Sequence, residues 1–135
     1  MSRFVIIFLL MSFLLVSCDN RQAKALLQDV ESYIQERPDS ALQVLEMVDS
    51  SNLNTKSLRA HYSLLFAMAL DKNYIDTTDV SVVMPAVNYY KRHGNPDERL
   101  KAYFYLGRIY LNNKRYDKAA VAYSLAEKEA LRSQM

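Results

Sequence analysis

The chain of 135 residues holds one cysteine, two glycines, three prolines and no tryptophan. A single thiol excludes an internal disulfide framework and any cysteine-rich zinc site. So few turn residues argue against an all-β fold, which needs them at every chain reversal. Two glycines leave no material for a glycine-rich phosphate loop, nor for the flanked serine of a nucleophile elbow. Charge of one sign is also lacking: 17 basic and 15 acidic residues give a net charge of +2. That total carries no electrostatic footprint for nucleic acid. What is present is apolar material at an ordinary globular level, 50% hydrophobic against 24% charged. This is too apolar for a disordered chain and enough for one domain.

The longest apolar run stands at the start. Arg3 is the only charge before Asp19, and Phe4 to Val16 read FVIIFLLMSFLLV. A helix that spans a bilayer needs about 20 apolar residues, so this run is too short. A basic start, a short apolar core and a small residue at its end make a secretory signal. The end reads Leu15-Val16-Ser17-Cys18, which resembles the lipobox of bacterial lipoproteins. The resemblance implies a signal peptide over residues 1–17, cut between Ser17 and Cys18. It implies a diacylglycerol thioether on Cys18 with the freed amine acylated, a lipidated tether over residues 18–22, and a place in the bacterial cell envelope. Several acyl chains together hold a membrane stably where one is marginal. Asp19 marks inner-membrane retention in some Gram-negative bacteria and not in others, so inner and outer membrane both stay open.

Beyond the tether the chain reads as six helices in three pairs over residues 23–135. The first apolar stripe is Ala23, Leu26, Leu27, Val30 and Ile34. Pro38 stops that helix and opens the next, because the residue before proline avoids the helical region while proline suits a first turn. The second stripe is Ala41, Val44, Leu45 and Val48. The third helix starts near Asn54 or Thr55 and carries Leu58, Tyr62, Leu65, Phe66 and Ala69. Residues 71–78 are polar and turn-like. The fourth helix starts near Thr78 with Val80, Val83, Met84, Val87 and Tyr90, is kinked or delayed by Pro85, and ends at Gly94. Asn95, Pro96 and Glu98 form the strongest start signal, a capping box with proline in the first position. The fifth stripe is Tyr103, Leu106, Gly107 and Tyr110, and the sixth is Ala119, Ala120, Tyr123, Ala126 and Ala130.

The last pair carries a repeat pattern. Tyr103-x-x-Leu106-Gly107-x-x-Tyr110, then Ala119-x-x-x-Tyr123, then Ala126, resembles the tetratricopeptide repeat (TPR), with the unit running from about residue 100 to 132. A glycine inside a helix costs about 1 kcal/mol against alanine, which makes sense where a neighbouring helix comes close. Tyr62-x-x-Leu65-Phe66-x-x-Ala69 with Ala86-x-x-x-Tyr90 reads as a second unit carrying an insertion in the 71–78 loop. Ala41-x-x-x-Leu45 reads as part of a degenerate first unit. The resemblance implies an all-α, right-handed solenoid of about three helix pairs.

Two further stretches, Pro38-Asp39-Ser40-Ala41-Leu42 and Ala69-Leu70-Asp71-Lys72-Asn73-Tyr74, are similar to lipoproteins and membrane-anchored regulators of Gram-negative bacteria with TPR-like N-terminal regions. In the longer members the repeats lead on to a transmembrane helix and a DNA-binding domain.

Candidate chemistry is sparse. His61 and His93 share no motif with carboxylates, and neither a metal site, a cofactor nor a catalytic group is expected. In a TPR array the first helix of each pair lines a groove for a protein or peptide. The resemblance therefore implies that Lys101, Phe104, Tyr105, Arg108 and Asn112 face it. Lys101 and Arg108 lie two turns apart on one face, able to hold an acidic or C-terminal peptide carboxylate. The same residues would equally make a solvated charged face. Charge is uneven along the chain, −4 over residues 19–90 and +5 over residues 91–135. The sixth helix is expected to leave Tyr123, Leu125 or Leu131 partly exposed. The reading is a non-enzymatic, membrane-anchored scaffold for protein–protein contact, with neither nucleic acid nor a small-molecule substrate. Its alternative is the sensory part of a longer membrane-anchored regulator.

Overall fold

The computed structural model describes residues 20–135. Cys18 and the expected signal peptide over residues 1–17 lie outside the described residues. Among these the structure is all-α, with six helices and no strand. They are α1 (20–33), α2 (Pro38–Glu46), α3 (Lys56–Lys72), α4 (Met84–His93), α5 (Pro96–Asn112) and α6 (Tyr116–Ser133). Residues 20–22, expected as tether, already belong to α1.

Helix starts follow the side chains that satisfy their free amides. Thr55 caps α3 by accepting from the Leu58 amide at 3.1 Å. Asn95 accepts from the Glu98 amide at 2.8 Å, and Glu98 accepts from the Asn95 amide at 3.0 Å, which completes the expected capping box of α5. Pro85 delays α4 rather than kinking it. The helix begins at Met84 and not near Thr78, and Val80–Val82 form a separate 3-10 turn capped by Asp79. Proline tolerates only the first turn of a helix, so the residues before it cannot join α4.

Helix ends are less conventional. Neither glycine has a positive φ, whereas Tyr74 (φ 59°) and Lys114 (φ 57°) do. After α3 the Ile75 amide donates to the Leu70 carbonyl and the Tyr74 amide to Asp71. After α5 the Arg115 amide donates to Tyr110 and the Lys114 amide to Leu111. Both ends are therefore Schellman motifs whose left-handed position holds a bulky residue in place of glycine.

The core runs the length of the bundle. Leu27 and Val30 of α1 and Ile34 just after it join Ala41 and Leu45 of α2, Leu65 and Ala69 of α3, Val83 before α4, and Ala86 within it in one core. Consecutive helices pack on one another from α2 to α6, most extensively α5 on α6. On α6 the buried positions are Ala119, Ala122, Ala126 and Glu129. Ala120, expected on the buried stripe, faces solvent. A period of 3.6 places 119, 122, 126 and 129 on one side and turns 120 away from it. Polar anchors fix the connections: the Ser63 hydroxyl donates to the Val82 carbonyl at 2.6 Å, and Asn73 Nδ2 donates to the Pro38 carbonyl at 2.9 Å.

Candidate binding face on α5

The packing of α5 on α6 fixes which side of α5 remains for other contacts. Gly107 lies under the Tyr123 ring, where a Cβ would stand 2.7 Å from Cε1. Tyr123 in turn packs beside Phe104, with ring centroids 5.9 Å apart. At the start of α5, Arg99 Nε lies 3.0 Å from Glu129 Oε2, and Arg132 donates to Glu129 Oε1 at 2.8 Å. The Glu129 side chain is only 7% exposed. A buried carboxylate between two guanidinium groups thus ties the beginning of α5 to the end of α6. Its Oε2 receives no well-aligned hydrogen bond despite the nearby Arg99.

The five residues expected on the face fall into two halves. Lys101 and Phe104, in the N-terminal half, reach solvent, and Lys101 pairs with Asp97 one turn earlier at 2.9 Å. The C-terminal half is engaged within the chain. Arg108 Nε donates to Asp71 Oδ1 at 2.9 Å, and Asn112 Nδ2 donates to the Thr77 carbonyl at 3.1 Å. The hydrogen bond to Asp71 raises the Arg108 pKa further. Tyr105 is buried rather than presented. Burial pushes its hydroxyl up to about 12, with the Asp71 charge adding and Arg108 opposing. Together these contacts fasten the 71–77 segment across the lower part of α5.

Beside the open half lies a cleft of about 360 Å³ with mixed charge, lined by Glu31, His61, His93, Asp97, Glu98 and Lys101. His61 Nε2 lies 2.8 Å from Glu31 Oε2, linking α3 to α1. The His93 ring packs on Tyr89, 5.0 Å between centroids. Among the described residues no group of three His, Cys, Asp or Glu is placed to hold a metal ion. Nor is any described helix long and apolar enough to cross a membrane.

Two features escaped the sequence. Asp71 is 37 residues from Arg108, and nothing in the local pattern of either residue names the other. Glu129 does carry a signal: it stands on the 3.6 stripe of Ala119, Ala122 and Ala126, where an unpaired carboxylate would not be tolerated. The chain matches no protein-family model, and neither the curated proteins nor the solved structures contain a significant match to it.

Proposed function

We propose that this protein is a membrane-anchored lipoprotein of the bacterial cell envelope, whose helical domain is a TPR-like, non-enzymatic scaffold for another protein. The observation that carries the scaffold reading is the seat of Tyr123 on Gly107. In a TPR-like pair the small residue of the first helix receives an aromatic residue of the second, and the alanines around it permit close approach. Ala119, Ala122 and Ala126 are buried on that side of α6. The anchor reading is carried by the sequence, with Cys18 as the acylated residue.

Labelled fatty acid should enter the wild-type protein and not Cys18→Ala; equal labelling of both would end the lipoprotein reading. The scaffold is tested at the open half of the face. Lys101→Glu combined with Phe104→Ala should weaken capture of acidic or C-terminal-carboxylate peptides at low salt, and unchanged capture removes both residues from the site. Arg108 is a poorer probe, because reversing it also releases Asp71.

A second reading, the sensory part of a longer membrane-anchored regulator, has one observation in its favour. The outer side of α6 leaves Val121 and Leu131 each 61% exposed, with Leu125 at 36%. Val121 and Leu125 line a shallow groove of about 330 Å³ against Leu106 and Tyr110. A further helix would cover such an edge. Residues 19–135, free of lipid, distinguish the two in size-exclusion chromatography and a thermal melt. A monomer with one cooperative transition supports the scaffold as a self-sufficient domain. Aggregation or a broad melt moves the regulator reading ahead.

A further inference from the structure

One end of the bundle gathers the starts of α1, α3 and α5 and the ends of α2, α4 and α6. It carries two features that the face on α5 does not use. The first is cationic. Lys56 and Arg59 in the first turn of α3, with Lys91, Arg92 and His93 in the last turn of α4, line one cleft of about 560 Å³. The antiparallel packing of α3 on α4 is what brings the two turns together. No acidic side chain lines this cleft, and none of the five has an ion-pair partner among the described residues. Of the carboxylates at the same end, Asp49 caps a 3-10 turn, Asp97 holds Lys101 and Glu98 serves the capping box, while Glu46 at the end of α2 is exposed, does not line this cleft and joins no ion pair among the described residues. The negative end of the α4 dipole favours cations in its last turn. It does not account for Lys56 and Arg59, which stand at the positive end of α3.

The second feature is apolar. A groove of about 570 Å³ opens between α1 and α2, lined by Leu26, Val44, Met47 and Leu53 among others. Met47 at its rim is 84% exposed. The cleft and the groove are neighbours: Arg59, which lines the first, donates to the carbonyl of Leu53, which lines the second, at 2.9 Å. Asn54 Nδ2 also donates to Asn20 Oδ1 at 3.1 Å. That bond sets the start of α1 beside the start of α3. Cys18 precedes Asn20 by two residues, at most about 7 Å of extended chain.

We infer that this end of the domain docks on a bilayer rich in anionic phospholipid, with Lys56, Arg59, Lys91 and Arg92 over headgroup phosphates and Met47 and Leu26 at the headgroup–acyl boundary. The inference rests on the lipid anchor at Cys18. Clustered cations beside exposed apolar side chains are the chemistry of an interfacial contact, and the first described residue, Asn20, lies at the same end. An acidic peptide would satisfy the cations but leave Met47 and the apolar groove without an occupant. The anchor sets where the protein is, and the docking sets which way it stands, with the turn between α5 and α6 pointing away from the membrane.

The test uses the full lipidated protein in phosphatidylethanolamine vesicles with or without phosphatidylglycerol. Lysine acylation and methionine oxidation are read by mass spectrometry. With phosphatidylglycerol, Lys56 and Lys91 should react several-fold more slowly and Met47 should be shielded, while Lys114 and Lys118 react as before. High salt should weaken the effect. Lys56→Gln with Lys91→Gln and Arg92→Gln, all on exposed helix ends, should abolish the shielding of Met47. Equal rates in the two vesicles overturn the docking. The same lysine protection by inorganic phosphate without vesicles overturns it in favour of a soluble anion. The intact mass of the same sample reports the acyl groups on Cys18, so a failed anchor and a failed docking face are told apart.

Discussion

A methyl group at position 107 would sit 2.7 Å from Cε1 and 2.8 Å from Cδ1 of Tyr123. Helix propensity favours alanine there by about 1 kcal/mol, while overpacking costs about 1–3 kcal/mol. The ring is hindered from swinging aside, since Phe104 packs beside it. Gly107→Ala is therefore expected to lower stability by up to about 2 kcal/mol in urea unfolding, and Tyr123→Leu to recover part of the loss. A stabilised Gly107→Ala would mean that the ring yields. The reverse holds at the two helix ends with positive φ. Lys114 is an exposed residue held in the left-handed region. Lys114→Gly should stabilise by about 1 kcal/mol, because a left-handed side-chain residue costs roughly that much more than glycine. Tyr74→Gly should act in the same direction. A lower melting temperature for both would show that the turns hold no such strain.

At the scale of elements, α5 and α6 depend on the carboxylate that both share. Removing one partner of a buried ion pair typically costs about 3–5 kcal/mol, whereas replacing the whole pair by apolar groups is often neutral. Glu129→Ala should fall toward that range, reduced by the half-exposed Arg132. Arg99→Met with Glu129→Met should be much milder in the same denaturation experiment. If the double variant is as unstable as the single one, the pair supplies more than mutual neutralisation. This clasp also shows what the sequence made legible and what it did not. Starts of helices are written locally, in Thr55, Pro38 and the Asn95–Glu98 box, and they stood where the residues placed them. The pattern alone starts α4 too early, because a valine-rich stripe before Pro85 reads as helix although proline forbids the continuation. Contacts between elements are written nowhere in one window, so the hold of Arg108 on Asp71 and the burial of Tyr105 emerged only from the packing.

For the whole molecule, buried phenols tie stability to alkaline pH. Burial raises the hydroxyl pKa of Tyr62, Tyr90 and Tyr105, the last from 10.0 to about 12. The unfolded chain then loses these protons before the folded one does. Their contribution is complete below the unfolded value of 10.0 and falls away as pH rises toward and past 12. Melting temperature should drop steeply over that window, and less steeply in Tyr105→Phe. Parallel curves for the two proteins would show that Tyr105 ionises without unfolding the chain.

Six helices also make five reversals, an odd number. The last residues of α6 come back to the start of α5, as the contact of Arg99 with Glu129 records, and α1 and α3 begin at that same end. With Cys18 acylated as proposed, a reporter fused after Met135 would be pressed against the surface that holds the anchor. The same reporter inserted between Asn113 and Lys114, at the far pole, would project into open space and leave both the tether and the cationic cleft undisturbed.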